Sequence, residues 1–448
     1  MTGGCATIGA MADRRVTAPD RAPAAVAVAL AVAVLLAGCG PATPPVASPS
    51  GVSTASATPT AARTFAGPTP TPEPPAAVYA RIEQQVQALR GLSATVTVDP
   101  VVLDQAALEA ALRAEFERDT PATVLASTER VQRALGLIPP DASLKDLELE
   151  LLNDQVVGFY DPVTKRMSVK STTGALGVVE QITFAHEFDH ALQDQHFDLT
   201  KLGTSVADQG DRSLARLSLA EGDATVLMTD WARTALNPLQ LLQYLQSADI
   251  NGQTAQLAKL PASLQAQLFF PYTSGLAFVQ GLVAQGGWPA VDRAYAHPPD
   301  STEQILHPEK YAAGERPVSL PVPTDLARRL GDGWKVELQD TLGEFGLRTW
   351  LQAVGGLDPD TAAAAAAGWG GDRVVLVSHG DSFAIAILTA WDTPADAVAF
   401  ATAADTTRAR LAGRTALIDP GTTDRVTVFV ASDEAAISRL AAALGLAG

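Results

Sequence analysis

The chain has 448 residues, a formal net charge of −17 and a pI near 4.7, so there is no basic surplus to neutralise phosphates, which argues against a nucleic-acid binder. Hydrophobic residues make up 47% and charged residues 18%, a balance that supports packed cores and argues against a disordered chain. Two cysteines leave neither a disulfide framework nor a thiolate-rich zinc site, and a mean hydropathy of +0.11 is too low for a polytopic membrane protein.

Arg14, Arg15 and Arg21 precede an apolar run from Ala24 to Gly38 that ends at Cys39. A basic segment, about 15 apolar residues and a small-residue cleavage site describe a secretory signal, because a membrane-spanning helix needs about 20. Leu36-Ala37-Gly38-Cys39 resembles a bacterial lipobox. That resemblance implies that residues 1–38 are removed and that Cys39 carries a lipid, tying the mature chain to a cell membrane on its extracytoplasmic face. Residues 39–75 are rich in Pro, Thr, Ser and Ala, and only Arg63 and Glu73 are charged. Such a stretch cannot bury a core, and its prolines keep it extended, so it reads as a spacer.

Order is expected from Ala76. Apolar spacing predicts helices over 78–92, 108–116 and 123–135, and Pro139-Pro140 breaks the run. Gln155 to Tyr160 and Arg166 to Lys170, on either side of Asp161-Pro162, read as a β-hairpin. Helices are predicted over Gly177–Gln195 and over Ser213–Leu236, the second open to interruption at Gly222. Leu239 to Ala284 is helical with breaks at Pro261 and Pro271, and Pro298-Pro299 opens a loop region that runs to Pro323. The pattern then changes. A helix over 342–354, strands over 374–377 and 383–388 around Gly380-Asp381, a helix over 394–411, a strand over 425–430 and a helix over 435–444 describe a small α+β unit. The expected fold class is α+β: a mostly helical body with a small hairpin over residues 76–325, then a C-terminal α+β unit over 326–448. The alanine run 362–367 reads as a helical patch without chemistry.

His186-Glu187-Phe188-Asp189-His190 lies inside a predicted helix. Residues four apart project within about 40° of each other, so both imidazoles can address one metal ion. Glu187 falls on the neighbouring face, where a general base for water on the ion is wanted. With only six histidines in the chain, chance is a poor source of this spacing.

The pentapeptide resembles the zinc-binding helix of zincin metallopeptidases. Asp189 departs from that pattern, which prefers an uncharged residue there, and is assigned an outer role orienting an imidazole N–H. Two candidates exist for the third ligand. His196 has the spacing of the metzincin pattern, but Gln193 stands where that pattern needs a helix-stopping glycine, and continued helix turns His196 about 240° away from His190. Glu221, in Ala220-Glu-Gly-Asp-Ala224, matches the gluzincin arrangement, in which a downstream helix supplies a carboxylate, and is preferred. Gly222 beside it suggests close packing, and Asp223 is a candidate support for a histidine. Gly158-Phe-Tyr-Asp-Pro162, His196-Phe-Asp-Leu199, Ser301 to Pro308, Gly368 to Arg373 and Trp391-Asp392 add a resemblance to a poorly characterised group of bacterial secreted or lipoprotein metallopeptidases. The resemblance implies a zincin-like domain over 76–325, Zn2+ held by His186, His190 and Glu221, Glu187 as the catalytic base, and a peptide or protein substrate aligned by a strand edge. Tyr272 and His307 are candidate donors to a developing oxyanion, while Tyr160 reads as strand packing.

Val374 to Gly380 resembles the second histidine segment of histidine phosphatases, but none of the other five histidines follows an arginine as that chemistry requires, so His379 reads as a hairpin-turn residue. Two rivals stand beside the peptidase. One is a catalytically inactive zincin-like lipoprotein that acts as a binding or assembly module. The other is a solute-binding lipoprotein, which leaves His186, Glu187 and His190 unexplained.

Overall fold

A computed structural model describes residues 73–446 apart from 156, 171–175, 251–256, 412–414 and 420–422. The expected signal segment and lipobox, Cys39 and residues 40–72 of the expected spacer lie outside these residues. The chain is α+β, with helices dominating the first part and a five-stranded sheet organising the last.

Helix α1 (Pro75–Arg90) starts with proline at its first position, where no N–H is missed, and ends at Gly91 with φ +77°. It buries Val78, Tyr79, Ile82 and Val86 along one face. Strand β1 (Val101–Leu103), α2 (Gln105–Asp119), α3 (Ala122–Ala134) and α4 (Leu144–Gln155) follow. The Asp104 side chain caps α2 by accepting the Ala107 N–H. Strands β2 (Gly158–Asp161) and β3 (Arg166–Lys170) form the expected hairpin, and β1 adds in parallel to β3, giving the order β1-β3-β2. β2 is thus an edge strand.

Helix α5 (Val178–Phe197) packs on this sheet and α7 (Gly210–Ala235) packs on α5, with the short α6 (Leu199–Leu202) between them in sequence. Gly222 does not interrupt α7. It lets the helix approach its neighbour: a methyl at Gly222 would collide with the Gly275 carbonyl, and one at Gly275 with the Ser218 carbonyl. Gly275 closes a π-helical turn (Pro271–Gly275) between α9 (Ala262–Phe270) and α10 (Leu276–Gly286), α8 (Pro238–Ile250) having come before. Pro271 therefore widens the helix rather than breaking it. α7 separates two cores. Leu227, Met228 and Trp231 face a core shared with α1, α2, α5 and the small sheet. Leu219, Ala220 and Val226 face a second, built with α10 and α11 (Trp288–Ala296). Two short helices, α12 (Thr302–Leu306) and α13 (Pro308–Ala313), occupy the region predicted as loop.

The C-terminal unit contains α14 (Leu326–Leu330), β4 (Lys335–Asp340), α15 (Gly343–Ala353), α16 (Pro359–Ala366), β5 (Trp369–His379), β6 (Ser382–Trp391), α17 (Pro394–Arg408), β7 (Thr415–Asp419), β8 (Arg425–Ala431) and α18 (Glu434–Leu444). The sheet is antiparallel throughout, in the order β4-β5-β6-β8-β7. Strand alternation divides its residues between two cores. Val374, Leu376, Ile385, Ile387, Val426 and Val428 meet α15 and α17, while Val375, Val377, Ala384, Ala386 and Phe429 meet α14 and α18. Val131, Ala134 and Leu135 join the first of these, and Trp350 Nε1 donates to the Leu135 carbonyl at 3.0 Å. Packing therefore crosses the sequence boundary at 326. His379 ends β5 beside the Gly380-Asp381 turn, its ring stacked on Trp334.

Gly222→Ala should destabilise the fold by about 1–3 kcal/mol, because the helix crossing cannot close over a methyl group. Chemical denaturation measures this; an unchanged midpoint would show that the crossing relaxes freely.

Candidate metal centre

Every residue of α5 from Ile182 to Asp194 is buried, so its polar side chains there need partners inside the protein. His186 and His190 leave the helix one turn apart, with ring centroids 4.7 Å apart and planes at 88°. Glu221 reaches the same point from α7. His186 Nε2 lies 3.1 Å from His190 Nε2 and 3.2 Å from Glu221 Oε2, and His190 Nε2 lies 3.4 Å from that oxygen. Ligands on a tetrahedral ion at about 2.0–2.1 Å stand about 3.3–3.4 Å apart, so the triangle has the size of one face of such a polyhedron. Two nitrogens and one carboxylate oxygen also suit zinc chemically.

The electrostatics agree. Burial would lower His190, but Glu221, Glu187 and Gln193 together raise it to about 10. Burial would raise Glu221, but the two imidazoles pull it down to about 2. Burial holds His186 below the ordinary imidazole range, against the pull of Glu221. The carboxylate of Glu221 thus stabilises positive charge on the buried imidazoles, and they in turn hold it ionised.

Glu187 is 1% exposed. Its Oε2 accepts the Tyr160 main-chain N–H at 2.8 Å, while its Oε1 is buried with no hydrogen-bond partner. One oxygen is anchored to the edge strand and the other is free to work. Burial pushes this carboxyl up to about 8. Tyr160 does more than pack: its hydroxyl donates to Asp194 Oδ2 at 2.7 Å, and the Lys165 ammonium pairs with the same carboxylate, locking the hairpin to the end of α5.

The remaining candidates separate. Tyr272, in the π-turn, is buried with its ring centroid 6.4 Å from that of His186, so it lines the centre. His307 does not join it: Nε2 pairs with Glu344 at 3.0 Å and Nδ1 faces Glu309 at 3.6 Å, because α12 and α13 pack towards the C-terminal unit. His196 Nε2 donates to the Ser93 carbonyl at 2.8 Å, turned away as the helical phase requires. Asp189 orients neither imidazole directly. The His190 Nδ1 partner is Gln193 Oε1, and Asp189 Oδ2 accepts from Gln193 Nε2. Asp223 also meets no histidine. It forms a buried bidentate pair with Arg90, at 2.9 and 3.0 Å, and accepts from the Tyr295 hydroxyl. Gln193 was legible as a side chain three residues beyond His190 on one helix. Arg90 carried no such signal.

A second acidic group, Glu303, Glu315 and Asp392, already encloses a cation, since the Lys310 ammonium reaches all three at 2.6–2.9 Å.

A family model described as Domain of unknown function (DUF8575) matches residues 329–441, which span most of the C-terminal unit and none of the metal centre. No curated protein and no solved structure matches the chain.

Proposed function

We propose that this protein is a gluzincin-type zinc metallopeptidase that hydrolyses peptide bonds, anchored to the extracytoplasmic face of a membrane through a lipid on Cys39. The observation that carries the reading is the buried triangle of His186 Nε2, His190 Nε2 and Glu221 Oε2, with sides of 3.1–3.4 Å. These three side chains would hold the zinc ion. When bound, zinc supplies a Lewis acid that polarises a carbonyl and lowers the pKa of water.

The chain's own residues supply the rest. Tyr160 N–H fixes Glu187 through Oε2, leaving Oε1 to take a proton from the attacking water and return it to the leaving amine. β2 offers the edge along which an extended peptide lies. Lys170 N–H donates to the Val157 carbonyl, so Val157, Phe159 and Asp161 face β3 while the main-chain groups of Gly158 and the Tyr160 carbonyl turn outward, the Tyr160 N–H being taken by Glu187. Pairing there brings a peptide beside Glu187 with its backbone in register. Tyr272 is the remaining candidate donor to the carbonyl oxygen, because its ring borders His186.

Zinc binding at pH 7 should release protons, because Glu221 raises His190 and burial raises Glu187 while the ion favours the deprotonated form of both. Calorimetry in buffers of different ionisation enthalpy reads this, and zero release would mean that His190 does not meet the ion. His190→Ala should lose bound zinc, whereas Glu187→Gln should keep it and lose hydrolysis of an unfolded protein substrate. Equal zinc in wild type and His190→Ala defeats the metal reading. Zinc without hydrolysis in the wild type leaves the binding or assembly module as the function. Cys39→Ser should move the protein from the membrane to the soluble fraction, and unchanged membrane retention refutes the lipid anchor.

A further inference from the structure

Gln193 is fully buried and holds three partners at once. Its Nε2 donates to Asp189 Oδ2 at 2.9 Å and to the Ala220 carbonyl at 3.1 Å, and its Oε1 lies 3.0 Å from His190 Nδ1. An amide carries both donors on nitrogen and its acceptor on oxygen. The Ala220 carbonyl can only accept. Flipping the amide would set oxygen against that carbonyl and nitrogen against the ring. The network therefore has one orientation, in which His190 Nδ1–H donates to Gln193 Oε1. A neutral imidazole protonated at Nδ1 presents a lone pair at Nε2, the atom that faces His186 and Glu221.

We propose that Gln193 is the positioning residue of the centre: it selects the His190 tautomer able to ligate a metal, and it ties α5 to the main-chain carbonyl immediately before Glu221. One side chain thereby aligns two of the three ligands, which come from different helices. Asp189 acts one step further out, by orienting the amide. Arg90 and Asp223 are the neighbouring buried pair and touch neither imidazole. Metal-ligating histidines commonly donate their other N–H to a carboxylate or a main-chain carbonyl. Here a neutral amide serves, so the support adds no negative charge to a centre that already contains Glu221.

The inference rests on the zinc reading, and its test separates the two. Zinc dissociation constants are measured by chelator competition on the full-length protein for wild type, Gln193→Met and Gln193→Glu. Methionine fills the space without accepting a hydrogen bond and should weaken zinc by about tenfold or more, the usual cost of losing such a partner. Glutamate keeps an oxygen for His190 Nδ1–H, but it sets an oxygen against Asp189 Oδ2 and the Ala220 carbonyl where the amide donated, so it too should weaken zinc. Nitrogen-15 NMR of the zinc-loaded wild type should find His190 protonated at Nδ1, a readout that needs no variant to fold. Zinc binding by Gln193→Met or by Gln193→Glu equal to wild type, or an unprotonated His190 Nδ1, overturns this inference alone. A wild type that binds no zinc overturns both.

Discussion

Two imidazole nitrogens and a carboxylate oxygen are held 3.1–3.4 Å from one another in the protein interior, where protons and charge must be shared among them. Here a carboxylate closes the triangle, all three groups are buried, and the cost of desolvating them is offset by the contacts they make with one another. Much of the surrounding structure follows from that requirement. α5 must carry polar side chains through a core, and several are tied off: Glu187 Oε2 by a strand N–H, Gln193 by a carbonyl and a carboxylate, Asp194 by Tyr160 and Lys165.

The geometry depends equally on main-chain packing. Glu221 reaches the histidines because α7 lies close against the π-turn, and that approach is possible because Gly222 and Gly275 carry no side chain. The π-turn in its turn brings Tyr272 beside His186. A wider turn of helix at such a place is a recurring feature of functional sites, since it re-aims a side chain without ending the element. Buried Arg90, paired with Asp223 and lying 4.5 Å over the Trp288 ring, braces α1 against α7 and α11. Arg90 also meets Asp292 at 2.8 Å, whereas removing Arg90 would leave the buried Asp223 charge without its partner.

Much of this was legible in the chain. The helix expected over 177–195 runs from Val178 to Phe197, and the strands expected over 374–377 and 383–388 extend to Trp369–His379 and Ser382–Trp391. The preference for Glu221 over His196 came from helical phase and from the resemblance, and the coordinates bring Glu221, not His196, to the two histidines. Elements with weak periodicity escaped notice: β1, β4 and α4, whose identity as strand or helix is decided by neighbours distant in sequence. His307 was misread because a histidine before proline carries no sign of its partner, which proved to be Glu344.

The sequence by itself determined that two histidines and a glutamate share one helical turn, because the 3.6-residue period fixes which side chains are neighbours along a helix. It also determined the alternation that buries both faces of the C-terminal sheet. Tertiary structure alone decided that α7 would deliver Glu221 within about 3.4 Å of both rings, that Gln193 and not Asp189 would meet His190, and that Asp223 would turn to Arg90. Those outcomes depend on how closely two helices approach and at what rotation, and such distances are set by packing among residues far apart in the chain rather than by any local spacing.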